Sequence, residues 1–210
     1  MKPLIRNFNT ADYVQVKLND DFLNKQKVDA TNHNQLEKEV KRQIQLQNGK
    51  VGYGGWLEKR SLYAKNQLFN QTEKRDIHLG YDFWCDAGSE VSAPIDGKVF
   101  SIKNNDKTGD YGPTLILEHQ VNQNKIYTLY GHLSPDSLQL HKTGDLINPG
   151  QFLAYIGDRP DNGDYVPHLH FQVMSQMLNF KADFPGVSST AQLHNYLQVV
   201  LHPAVVLSYL

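Results

Sequence analysis

Nine histidines, at positions 33, 78, 119, 132, 141, 168, 170, 194 and 202, hold most of the chemistry open to this chain. Histidine titrates near neutral pH and is the commonest metal-ligating side chain. The spacing His-x-x-x-Asp occurs as His78/Asp82, His132/Asp136 and His141/Asp145, where chance alone gives about one match. His-x-His occurs once, at His168 and His170. Strand geometry separates these pairs, because residues an even number apart share one face of a strand. His168 and His170 then project together, with Leu169 and Phe171 turned into the core. His78 and Asp82 likewise share a face across Gly80, with Leu79 and Tyr81 opposite. Asp136 and Asp145 follow the turn sequences Ser134-Pro135 and Thr143-Gly144 and read as turn formers. A mononuclear catalytic zinc takes three protein ligands and leaves the fourth position to water. The two pairs, with His132 beside the bare Gly131, offer more donors than that. Any histidine left off the metal is free to move protons, which is what metal-assisted hydrolysis requires. Cys85, the single cysteine, excludes an intrachain disulfide or a multi-cysteine zinc site, and reads as a buried thiol.

The elements that must position these groups are short strands. Residues 98–102 alternate, with Val99 and Ser101 on one face and Phe100 and Ile102 on the other. Residues 114–119 and 125–132 bracket Asn122-Gln123-Asn124 as a hairpin, and 152–156 and 168–174 are further strands. Turn sequences such as Pro94-Ile95-Asp96-Gly97 recur at short intervals, which predicts a mainly β, antiparallel domain over residues 75–180. Ahead of it, 1–74 form an Asn-, Gln- and Lys-rich extension. Leu36, Val40 and Ile44 predict a helix over 35–47, capped by Asn34 with Glu37 and stopped at Asn48-Gly49. Trp56 to Phe69 predict an aromatic cover packed on the β domain, with residues 1–30 looser. Residues 181–210 form a tail, with Leu193, Leu197, Val200 and Leu201 at helical spacing.

Composition narrows the class. The 210 residues are 40% hydrophobic and carry 21 basic against 22 acidic side chains, for a net charge of -1. Low-complexity and disordered classes are excluded, and no global charge draws the chain to nucleic acid. No apolar run reaches the length of a membrane span. Residues 1–16 show no apolar signal stretch, so a cytoplasmic location is expected from the sequence.

Taken in order, His78-Leu-Gly-Tyr-Asp82, Ala93-Pro, Asp96-Gly-Lys-Val99, Tyr130-Gly-His132-Leu and His168-Leu-His170-Phe resemble the lysostaphin/LytM-type zinc metallopeptidases. The resemblance covers about residues 75–175. It implies one Zn2+ bound by His78, Asp82 and His170, with His132 and His168 just outside doing acid–base and oxyanion work. It also implies a compact antiparallel β-sheet domain of the duplicated hybrid motif type with an open groove, and peptide bonds of peptidoglycan as substrate. Residues 1–74 match no wall-binding module, which leaves room for wall fragments or another small peptide as substrate.

On this resemblance the chain is expected to be a zinc endopeptidase. The alternative is a non-catalytic peptidoglycan- or peptide-binding regulatory module of the same fold. A histidine phosphocarrier is disfavoured, because Asp82 would repel a phosphohistidine beside it.

Overall fold

The computed structural model describes residues 3–65 and 73–208. In the N-terminal part, β1 (Tyr13–Gln15) is followed by α1 (Asp20–Gln26), α2 (His33–Leu46) and β2 (Val51–Gly54). Then come β3 (Ile77–His78), β4 (Tyr81–Trp84), β5 (Glu90–Ser92), β6 (Gly97–Asn105), β7 (Gly112–Val121) and β8 (Asn124–Gly131). The chain ends through β9 (Leu146–Ile147), β10 (Phe152–Tyr155), β11 (His168–Met174), β12 (Val187–Ser188), α3 (Leu193–Tyr196) and β13 (Val200–Leu201). No helix among the described residues is long and apolar enough to cross a membrane.

The main sheet runs in the order β1-β2-β4-β11-β8-β7-β6-β9, with β13 added to the far end of β11. Its pairings are antiparallel except for β1 with β2. This is the mainly β architecture expected from the turn spacing. All seven residues of β11 are buried. Leu169, Phe171 and Val173 join Phe83, Leu117 and Tyr130 in the largest core cluster, while Met174, of the opposite parity, packs with Leu79, Ile116 and Leu129. The β7–β8 hairpin turns on Asn122 and Gln123 alone, at φ 48° and 66°. Two successive left-handed residues match the twist of the flanking strands; Asn124 already belongs to β8.

Three expectations change. Strand β6 does not alternate simply, because its pairing with β7 slips between Val99 and Ser101. One extra residue in a bulge inverts the parity that follows, so Val99 and Ile102 face the same core while Phe100 faces the other. The tail is α-helical only over α3, with a short 3-10 turn at Pro203–Val205; Val200 and Leu201 pair with Met174 and Val173 instead. The opening residues are not loose. Leu4 and Ile5 are fully buried in the main core, and Ile5 bridges Val91 while Ser92 N donates to Leu4 O at 2.8 Å. The polar side chains of this stretch lie mostly on its outer surface, while Leu4, Ile5, Tyr13, Val16, Leu18 and Leu23 are buried.

The extension also does more than lie against the sheet. β2 pairs with β4, Gly54 opposite Asp82, and so continues the sheet. Helix α2 begins earlier than expected, with Asn32 rather than Asn34 accepting the capping bond from Gln35 N at 3.2 Å. Leu36, Val40 and Ile44 form its buried stripe as anticipated, against Val16, Leu18, Leu23 and Trp84. Of the aromatic cover, Tyr63 is buried, whereas Leu68 and Phe69 lie outside the described residues; of the apolar residues after Pro203, Val206 and Leu207 are buried in the main core and 209–210 are not described.

Phe83→Ala, which empties a fully buried position, should destabilise the protein by about 3–5 kcal/mol. Leu146→Ala, at 79% exposure, should stay within about 0.5 kcal/mol. Urea unfolding of the two variants checks the contrast.

Candidate metal centre

The site is built on the register of three neighbouring strands. His170 lies opposite Asp82 of β4 on one side and Gly131 of β8 on the other. Cross-strand partners share a face, so this pairing alone brings Asp82 to His170. His78 arrives separately, from β3, which pairs with β12 rather than with the main sheet. The chain therefore does not continue as one strand from His78 to Asp82. Leu79 and Tyr81 pack into different clusters, and Gly80 sits at the crossing. A Cβ on Gly80 would lie 2.7 Å from Phe171 O and 2.9 Å from His170 Cε1.

Three potential ligand atoms converge. His78 Nε2 is 2.9 Å from His170 Nδ1, and each is 3.2 Å from Asp82 Oδ1. The protons on the two rings are accounted for on their outer sides. His78 Nδ1 donates to Gly55 O at 2.9 Å. His170 Nε2 donates to Gln172 Oε1 at 3.0 Å, and Gln172 holds that orientation by donating to Pro185 O at 3.2 Å. Both inward nitrogens consequently present lone pairs, beside a carboxylate oxygen. This neutral-imidazole and carboxylate set fits one Zn2+. Among the described residues it is the group of His, Cys, Asp and Glu side chains with metal-binding spacing.

His168 and His132 stand beside it, their rings 4.4 Å apart. His168 Nδ1 donates to Val166 O and His132 Nδ1 to Asn162 O, each at 2.7 Å, leaving Nε2 of both rings to accept. His168 Nε2 is 3.6 Å from Asp82 Oδ1, and its ring stacks on Trp84. Burial pushes His78 down to about 4, with the Arg60 charge adding to it against the pull of Asp82. Burial also lowers His168, and it drives His132 well below its usual value with help from His168 and His170. For Asp82 burial acts upward, yet His78 and Arg60 overcome it and hold the carboxyl well below its ordinary range.

All five residues singled out from the sequence, His78, Asp82, His132, His168 and His170, meet in one cavity of about 230 Å³. Its walls include Leu18, Leu36, Leu62 and Tyr63 from the extension and Phe184 from the C-terminal side. None of the five is more than 7% exposed. Other histidines go elsewhere: His119, for one, is tied to Asp96 O and Thr128 Oγ1. Asp145 accepts from Lys142 N within its own turn, as expected. Cys85 lies against the core, and burial lifts its thiol to about 12.

Sequence reasoning missed Arg60, Gln172 and Tyr111. Arg60 Nη1 donates to Asp82 Oδ2, and Tyr111, whose hydroxyl donates to Phe184 O at 2.9 Å, lies against the His170 ring. Gln172 shares the parity of His168 and His170 and was open to the same argument. Arg60 carries no such signal.

Residues 76–181 match the model of Peptidase family M23. A relative described as an uncharacterized metalloprotease, from Haemophilus influenzae, is 30% identical over 132 residues, covering 61% of this chain and 26% of that protein. The chain thus spans about a quarter of that relative's length. The catalytic domain of the antimicrobial peptidase lysostaphin from Staphylococcus simulans is similar at 25% identity and a TM-score of 0.40, over 57% of this chain and 80% of that one. A zinc containing peptidase from Vibrio cholerae is similar at 30% identity and a TM-score of 0.37, over 55% and 33%.

The buried neutral histidines set a pH dependence for the metal-free protein. In the unfolded chain histidine takes up a proton below about 6.5, whereas folded His78 resists until about 4. Stability is therefore fully present above pH 6.5 and declines as pH falls toward 4, by about 3 kcal/mol from His78 alone. Denaturant unfolding of the metal-free protein between pH 7 and 4 should show this slope, and His78→Gln should flatten it.

Proposed function

Because the chain belongs to peptidase family M23, we propose that it is a zinc-dependent endopeptidase acting on the stem or cross-link peptides of peptidoglycan. The observation that carries this reading is the convergence of His78 Nε2, His170 Nδ1 and Asp82 Oδ1, with both ring protons turned outward. In this reading those three residues hold the metal and His132 and His168 carry the proton traffic. Zinc, when bound, supplies Lewis acidity toward the scissile carbonyl and acidifies its water toward a pKa of about 7.

The chain's own groups do the rest. His132 and His168 have their Nδ1 protons committed to backbone carbonyls, which fixes tautomer and ring orientation together. Burial keeps both neutral at pH 7, so each meets the substrate with a free Nε2 lone pair. One of them accepts the proton of the attacking water and returns it to the leaving amine. The protonated ring is also an N–H donor toward the oxyanion of the tetrahedral intermediate. Trp84, stacked on His168, and Tyr111, against His132, restrain both rings. The apolar walls favour small or apolar residues flanking the cut bond.

Digestion of purified peptidoglycan and of its soluble fragments, with mass identification of the products, tests activity and substrate together. An intact sacculus and intact fragments in the presence of one bound zinc per chain would overturn the reading. His170→Ala should lose both zinc and turnover. His168→Ala and His132→Ala should keep zinc and lose about 10²–10⁴-fold in rate. Loss of zinc by His168→Ala with retention by His170→Ala would invert the assignment.

A further inference from the structure

Arg60 is among the largest fully buried side chains, at 2% exposure. Taking a guanidinium out of water is unfavourable by several kcal/mol unless its hydrogen bonds are met, so its partners matter. Nη1 donates to Asp82 Oδ2, the carboxylate oxygen turned away from His78 and His170. Nε donates to Glu58 Oε2 at 3.0 Å, while Nη2 lies 3.0 Å from the same oxygen as an ion-pair contact without a hydrogen bond, and the guanidinium carbon sits 5.7 Å from the Trp84 ring centroid. Glu58 balances the positive charge. The pair can therefore aim an N–H at Asp82 without placing a net cation beside a site suited to a dication.

The segment holding Arg60 is stitched in place. Leu57 N donates to His78 O at 3.0 Å, His78 N to Glu58 O at 2.9 Å and Arg60 N to Asp76 O at 2.8 Å. Gly55, whose carbonyl accepts the His78 Nδ1 proton, has φ +106°. A Cβ there would fall 2.3 Å from Arg60 Nη2 and 2.7 Å from His78 Nδ1. The backbone thus passes close to both outer contacts at once, and only glycine permits it. Of the three candidate ligands, His170 alone takes its outer contact from within residues 76–181, through Gln172.

We propose that Gly55 and Arg60, which lie outside the family-matched region, supply the outer shell of the metal centre, with Glu58 holding Arg60. Arg60 is the positioning residue for Asp82, and the Gly55 carbonyl is the positioning group for His78. The inference rests on the reading of His78, Asp82 and His170 as the metal ligands. Contacts of this kind orient a ligand, and the Gly55 carbonyl also makes the His78 ring a better donor; their loss typically weakens metal binding about 10–100-fold.

The test measures zinc affinity of the full chain by chelator competition, together with the visible spectrum of the cobalt(II)-substituted protein and the melting temperature of the metal-free form. Arg60→Met and Arg60→Lys should both bind zinc about 10–100-fold more weakly and shift the cobalt bands; lysine keeps the charge but cannot serve Asp82 and Glu58 with one planar fork. Lys59→Ala, on the same segment but with its side chain 64% exposed, should match the unaltered protein. Should Arg60→Met fail to fold, Arg60→Lys decides. Unchanged zinc affinity and cobalt spectrum in the Arg60 variants, with only a lower melting temperature, would reduce Arg60 to a structural role and overturn the inference. Tighter zinc binding would overturn it too, by making Arg60 a competitor of the metal. Failure of the unaltered protein to bind zinc would instead overturn the ligand reading itself.

Discussion

Two imidazole lone pairs and a carboxylate oxygen, gathered about 3 Å apart with no proton among them, repel one another in a dry interior. Much of the architecture serves to hold that unfavourable arrangement. The main sheet fixes Asp82 against His170 by register, β3 delivers His78 from a separate pairing, and backbone or amide oxygens draw the ring protons outward. Each contact removes a freedom by which the three groups could relax apart. A cation between them would turn the repulsion into cohesion, and this is why binding and folding are coupled at such sites.

The same sheet separates two kinds of burial. On one face Leu169, Phe171 and Val173 pack into an apolar core, and on the other His168, His170 and Gln172 are equally hidden but hydrogen-bonded. A strand with polar residues on its inner face is tolerable only when each finds a partner. The glycines beside it make the room: Gly80 for the His170 ring and Gly131 for Tyr111, which a Cβ would approach to 2.6 Å.

What the sequence made legible follows the range of the interactions. Alternation and turn residues act over a few positions, so the β strands, the hairpin and the shared face of His168 and His170 could be read directly. The meeting of His78 with Asp82 was also foreseen, though by a simpler route than the one taken, since the chain changes sheets at Gly80. Arg60 and Gly55 could not be read, because their partners lie 22 and 23 positions away with no repeating pattern between. The opening residues misled through their polar average, which hides that Leu4, Ile5, Val16 and Leu18 all go inside. A bulge of one residue in β6 was likewise invisible, and it alone decides which way Ile102 faces.

The bridge from Ile5 to Val91 has a consequence for assembly. Leu4 and Ile5 have no core to enter until residues 90–92 are in place, and closing so long a loop carries an entropic penalty that local contacts cannot offset early. During synthesis these apolar side chains must wait in solvent while some eighty later residues emerge. Residues 4 and 5 are thus secured late, and completion of the β5 edge, rather than formation of the nearby helices, sets when they become part of the core.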